Sequence, residues 1–187
     1  GNPVPFVMEL PNYRFPSAKS VVLLMWEKAK DFLTRAFTVI FMATVIIWFM
    51  QTFDTRLNVV ENSADSILAA LGRLVSPIFA PLGFGDWRMV TALVSGFTAK
   101  EAVVSTFGVI LGVSTEQLGI ALHSLFTTAS AASFLAFCLL YTPCVAAVST
   151  IKTELKSGWK TVGIVFAQCL VAWLAAFTVY HVGLLLT

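Results

Sequence analysis

The chain has 187 residues, of which 58% are hydrophobic and only 12% charged. A soluble domain carries about 25% charged residues, so this composition argues against a single soluble core. The net charge of +2 is too small to mark a nucleic-acid binder, and the basic residues stand at the ends of apolar runs. The chain opens on Gly1 and reads as an excised piece without a secretory signal peptide. Cys138, Cys144 and Cys169 form no C-x-x-C pair, so neither a disulfide framework nor a zinc site is signalled.

The chain reads as two parts: 1–35, an initial segment ending in an amphipathic helix, and 36–187, a membrane-embedded portion. In 17–32, Val21, Val22, Leu24, Met25 and Ala29 can face apolar surroundings, while Lys19, Lys28, Lys30 and Asp31 stay wet. That pattern predicts either a helix lying in the membrane interface or an ordinary solvated face leading into a span. A spanning helix needs about 20 mainly apolar residues. The first clear run is 36–53, closed by Asp54 and Arg56. A weaker run, 67–84, contains Arg73, Pro77 and Pro81 and suits a broken span, a re-entrant hairpin or an interfacial helix. The third run is 89–112, with Lys100 and Glu101 near its middle; 117–128 is too short to cross alone. The fourth is 131–151, with Pro143 inside it, and the fifth is 162–186. The expected fold is an all-α membrane bundle of about five spans, one or two of them broken, preceded by an amphipathic interfacial helix.

Lysines and arginines near span ends favour the cytoplasm. Lys19, Lys28, Lys30 and Arg35 precede the first span, and Lys152, Lys156 and Lys160 fill the loop before the last. Both sets fall on one side only if 67–84 crosses the membrane. The loop 54–65 then lies outside.

An ionised side chain at the bilayer centre costs about 2.5–3.5 kcal/mol or more, so Lys100 and Glu101 need a cavity or partners. On a continuous helix Glu101 shares a face with Thr98, Ser105 and Gly108, and Thr91 extends the stripe. This suits an ion pathway with Glu101 as carboxylate ligand; it also suits a structural pairing with small residues allowing close packing. Neighbouring charges point to different sides of a helix, so each needs its own partner or the helix is broken there.

In the fourth run, Tyr141-Thr142-Pro143-Cys144 interrupts the helix. Proline has no N–H, which frees the carbonyl of Leu139, and Thr142 before it is biased away from helical geometry. Freed carbonyls in a bilayer need protein, water or an ion, and broken helices build cation sites from them. Cys144 would open the second half-helix, where a thiolate, the metal-binding form, is favoured. A proline kink with a packed cysteine is the plainer alternative. Cys138, Cys169, His123 and His181 read as packing or peripheral residues, and the methionines form no periodic cluster.

Three segments resemble one family. Pro5-Phe6-Val7-Met8-Glu9-Leu10-Pro11-Asn12-Tyr13-Arg14 is similar to its PFVMELPPYR segment. Gly96-Phe97-Thr98-Ala99-Lys100-Glu101-Ala102-Val103-Val104-Ser105-Thr106 resembles its GFPAKEVVVST core. Tyr141-Thr142-Pro143-Cys144-Val145-Ala146 resembles its Y-x-P-C-x-A gate motif. With the intervening Ala80-Pro81-Leu82-Gly83-Phe84-Gly85-Asp86-Trp87-Arg88, the match runs nearly end to end. The family is the bacterial ferrous iron transport protein B family. Asn12 and Thr98 stand where it often has proline, which leaves the break before Lys100 less marked.

The resemblance implies the second gate repeat of a multi-pass inner-membrane Fe2+ permease. Its partners would be the lipid bilayer, the first gate repeat, an amino-terminal GTP-binding domain and, as a further expectation, other copies of itself. GTP and magnesium would belong to that domain; no G-x-x-x-x-G-K-[ST] occurs here, no cofactor is expected in this part, and no enzymatic activity of its own. Iron would be substrate. The family's gate cysteine maps onto Cys144, with Glu101 a weaker candidate for Fe2+ contact; Pro143, Thr142, Tyr141, Thr98, Ser105 and Lys100 complete the expected path. Gate-type repeats also serve nucleoside transporters, so the substrate class rests on the family-specific motifs. Two other readings stay open: a permease for another divalent metal, and a non-conducting scaffold or oligomerisation domain.

Overall fold

The computed structural model describes residues 15–142 and 144–186. The segment 5–14 and Pro143 lie outside the described residues. Among the described residues the fold is helical, with eight α-helices, two short 3-10 turns and one isolated bridge between Phe53 and Val59.

Contacts divide the chain between Arg35 and Ala36. In the first unit every described side chain is exposed. Helix α1 (Ala18–Thr52) runs through the division. The amphipathic segment 17–32 and the first span, separate elements in the sequence reading, are therefore carried by one helix. The reason is local: no glycine or proline occurs between Ala18 and Thr52.

In the second unit, Ser66 caps α2 (Ile67–Phe79) by accepting from the Ala69 N–H at 3.1 Å. A 3-10 turn, Ala80–Leu82, follows and ends on Gly83 at φ 80°. Helix α3 (Trp87–Gly96) then folds back on α2, bent 103° from it. The two approach closely at Gly72, where an added Cβ would lie 2.3 Å from Thr91 Oγ1.

The third apolar run, 89–112, is not one span. Helix α3 stops at Gly96, and α4 (Ala102–Leu111) packs against it as the second arm of a hairpin. The chain can fold back because Gly96 has no side chain: a Cβ there would meet Val103 Cγ2 of α4 at 2.3 Å. Hydropathy cannot see this break, since both arms are apolar. Gly112, at φ 65°, ends α4, and α5 (Thr115–His123) leaves it bent by 75°.

A Thr127–Ser130 capping box opens α6 (Thr128–Leu140). After a break come α7 (Val145–Leu155) and α8 (Gly158–Leu186). Helices α6 and α8 pack through small residues: Ala129, Ser133, Ala172 and Ala176 are all buried, and Ser133 Oγ donates to the Ala176 carbonyl at 2.9 Å. Small residues let helix backbones approach where lipid supplies no hydrophobic drive between helices. Phe84, fully buried, packs its ring against Phe79, Phe134 and Phe137 and so ties the end of α2 to α6.

Among the described residues three helical stretches are long and apolar enough to cross a membrane: α1, α6–α7 and α8. The bent pairs α2–α3 and α4–α5 raise the number to five if each counts as a crossing. This changes the sequence-based accounting, which had one uncertain run. If both pairs return or both cross, the number stays odd, and Lys152, Lys156 and Lys160 remain on the side of the lysines ahead of the first span. We predict a cytoplasmic 152–160 loop and an external 54–65 loop. The check is labelling of a cysteine at Ser157 in intact cells; labelling by an impermeant reagent from outside contradicts this topology.

Candidate functional site: two broken helices that meet

The tip of the α3–α4 hairpin, Phe97 to Glu101, is built from two tight turns. The Thr98 N–H donates to the Ser95 carbonyl at 3.1 Å, and the Thr98 hydroxyl donates to the same oxygen at 2.7 Å. The Ala102 N–H then donates to the Ala99 carbonyl at 2.9 Å. Thr98 thus ends α3 with its own side chain.

The second break lies between α6 and α7. Tyr141 (φ −65°, ψ 165°) and Cys144 (φ −53°, ψ 161°) are both extended. The Thr142 hydroxyl donates to the Val165 carbonyl of α8 at 3.2 Å and lies 3.2 Å from Cys169 Sγ. The unwound segment is therefore anchored laterally to α8.

The two breaks satisfy one another. Lys100 Nζ donates to the Leu139 carbonyl at 3.1 Å, the oxygen that a following proline leaves without its helical partner. The same ammonium lies 5.1 Å from the Tyr141 ring centroid, within cation–π range. In return, the Val145 N–H, at the start of α7, donates to the Phe97 carbonyl at 3.0 Å. Two buried hydroxyls at this crossing, Ser95 Oγ and Tyr141 Oη, have no hydrogen-bond partner among the described residues. Buried polar groups of that kind are places for water or a ligand.

The residues singled out from sequence separate into groups. Tyr141, Thr142 and Lys100 meet at the crossing, and Cys144 stands at the first turn of α7, half-buried. Glu101 and Ser105 share a shallow depression with Gly108, away from Thr98, which faces Ala43, Ile47 and Val145. The polar stripe expected on one continuous helix therefore holds only from Glu101 to Gly108; Thr91 and Thr98 belong to the other arm. No three His, Cys, Asp or Glu side chains converge as a metal cage among the described residues. Three participants were not picked out by sequence: Cys169, through its contact with Thr142; Cys138, which lines an apolar groove with Lys100 and Tyr141; and the Phe97 carbonyl. For Cys169 and Cys138 the only available signal was the shared rarity of thiols in this chain.

The family described as "Gate: Nucleoside recognition" matches residues 33–158, and that described as "Ferrous iron transport protein B C terminus" matches residues 1–28. The chain is 40% identical over 180 residues to "Fe(2+) transporter FeoB" of Staphylococcus aureus, covering 95% of this chain and 27% of that protein. It is 32% identical over 192 residues to "Fe(2+) transporter FeoB" of Methanocaldococcus jannaschii, covering 99% of this chain and 28% of the relative. It is 31% identical over 231 residues to an "Fe(2+) transport protein A/Fe(2+) transporter FeoB fusion protein" of Porphyromonas gingivalis, covering 97% and 27%. The chain thus spans little more than a quarter of the length of these relatives. No solved structure matches it.

Proposed function

Since the chain belongs to the ferrous iron transport protein B family, as a carboxy-terminal membrane portion containing its Gate domain, we propose that it forms one side of a path that carries Fe2+ into the cytoplasm. The observation that supports this reading is the crossing, where two broken helices bring together the Leu139 carbonyl, held by Lys100, and the Phe97 carbonyl, held by the Val145 N–H. Carbonyl ends of half-helices attract cations in transporters. Cys144 adds a soft sulfur ligand beside them, at the first turn of α7. Carbonyl, hydroxyl and thiolate suit a transient Fe2+ site, and a path has to release what it binds. Glu101 lies at a second position on the hairpin and acts as an entry or exit carboxylate. This portion is not itself an enzyme, and it holds no cofactor. A GTP-binding domain and a first gate repeat in the full-length protein supply control and the opposite wall, in the inner membrane of a bacterial cell; copies of the assembly can associate. The apolar faces of α1 and α8 are left for lipid and for those partners.

The carbonyl and hydroxyl donors would also accept other divalent ions, so selectivity for Fe2+ rests on the thiolate. The test is the full-length transporter carrying Cys144→Ser, which keeps the size of the side chain and removes the soft ligand. We expect Fe2+ uptake to fall at least several-fold at equal expression, and Glu101→Gln to lower it less. Cys169→Ser, which still offers Thr142 a hydrogen-bonding partner, should transport normally. Thiol alkylation at Cys144 should block uptake, and Fe2+ should slow that alkylation. Normal uptake by Cys144→Ser with no protection by iron would return the cysteine to a packing role.

A further inference from the structure

The Lys100 ammonium stands at one of the two breaks. It sits at the carbonyl end of α6, hydrogen-bonded to the Leu139 oxygen at 3.1 Å and over the Tyr141 ring. That oxygen belongs to the last turn of a helix, where the dipole is negative. An ammonium has three donors and is a compact charge on a flexible stem. Only one donor is accounted for by a backbone acceptor here, and the side chain is exposed rather than sealed into the core. Beside it runs an apolar groove of about 340 Å³, lined by Val104, Phe107, Phe134, Leu135, Cys138 and Tyr141. The groove gives the stem room to move. Tyr141 Oη, buried and unpartnered, faces the same crossing.

We propose that Lys100 is a tethered competitor for the cation: its ammonium and the transported Fe2+ exchange at the Leu139 carbonyl, and the ammonium swings off it as the ion passes while its apolar stem keeps to the groove. The proposal rests on the reading of the crossing as part of the path. It adds the identity of the group that closes that path at rest. Two like charges at one carbonyl repel each other at close range, so binding of the divalent ion there disfavours the ammonium, and the reverse. With no ion present, Lys100 keeps the carbonyl satisfied and the two breaks locked together. A purely structural role for Lys100, as a cap for α6, predicts something different. Removing it would then lower the amount of folded protein and the maximal rate, and leave the affinity for Fe2+ unchanged.

The experiment measures initial Fe2+ uptake by the full-length transporter in proteoliposomes, with and without GTP, over a range of iron concentrations. Lys100→Gln removes the charge and keeps a donor. It should lower the half-saturating Fe2+ concentration by about tenfold, the scale of one charge-assisted contact, and raise uptake in the absence of GTP. Lys100→Arg keeps the charge and holds the carbonyl with a multi-donor fork, so its half-saturating concentration should rise. An unchanged half-saturating concentration in Lys100→Gln overturns the proposal, as does a fall in maximal rate alone. If the glutamine variant does not fold, Lys100→Arg decides, and an unchanged half-saturation there overturns it equally. Cys144→Ser, measured alongside, separates the two levels. If it lowers uptake while Lys100→Gln leaves half-saturation unmoved, the path stands and the competition falls. If Cys144→Ser transports normally, the path reading fails and takes the competition with it.

Discussion

Gly96→Ala should reduce Fe2+ uptake by the full-length transporter about tenfold or more, while the protein still reaches the membrane. The added Cβ would stand 2.3 Å from Val103 Cγ2 and 2.9 Å from Tyr141 Oη. Neither neighbour yields cheaply. Val103 is β-branched and buried on the opposite arm of the hairpin, and Tyr141 is held between Phe137, stacked at 5.4 Å, and Lys100. The hairpin has to open or the tip has to retreat from the α6–α7 break. Overpacking of this kind costs about 1–3 kcal/mol, enough to move the balance between paired and unpaired breaks by about five- to 150-fold. Uptake should drop because the tip loses register with Leu139 and Val145, although neither helix is destroyed. Retained uptake in Gly96→Ala at equal expression would mean that the close approach of tip and break is dispensable.

The second large effect is on stability. Gly83→Ala should destabilise the domain by about 2–5 kcal/mol, combining backbone strain with overpacking. Gly83 sits at φ 80°, a left-handed conformation that places the aromatic Phe84 into the core after the turn Ala80–Leu82. An added Cβ would also run into the Tyr180 ring of α8, with Cε2 only 2.1 Å away. The two causes can be separated. Tyr180→Ala in the same chain should recover the packing part but leave the strain, so a double-mutant cycle in denaturant unfolding should give a coupling of about 1–3 kcal/mol. No loss of stability in Gly83→Ala would contradict the placement of this turn against α8.

The break in the fourth run was legible because proline announces it. Pro143 removes a donor, and arithmetic along a helix names Leu139 as the carbonyl left behind. What satisfies that carbonyl was not legible. Lys100 lies 39 residues away in sequence. It reaches Leu139 only because the chain reverses at Gly96, and nothing in an apolar run from α3 to α4 distinguishes a hairpin from a straight crossing. Thr98 conceals the signal further, ending α3 through a hydroxyl–carbonyl bond instead of a proline. For the adjacent charges the sequence left two outcomes, separate partners or a broken helix; the helix is broken, Lys100 turns to α6, and Glu101 lines the depression beside Ser105. Helix α1 runs from the wet into the apolar segment because no glycine or proline between Ala18 and Thr52 ends it.

The reciprocal bonds at the crossing also bear on hydration. Drawing the tip back leaves the oxygens of Leu139 and Phe97 and the N–H of Val145 without partners at once. Each bare group costs about 1–3 kcal/mol in surroundings that contain no water. A dry opening is therefore steeply uphill, and an opening that admits a few water molecules is not. Ser95 Oγ and Tyr141 Oη, already lacking partners, mark where those waters would first find contacts. On the proposed path, an ion that arrived with part of its hydration shell would bring waters able to replace the missing hydrogen bonds, so the cargo itself would wet the crossing.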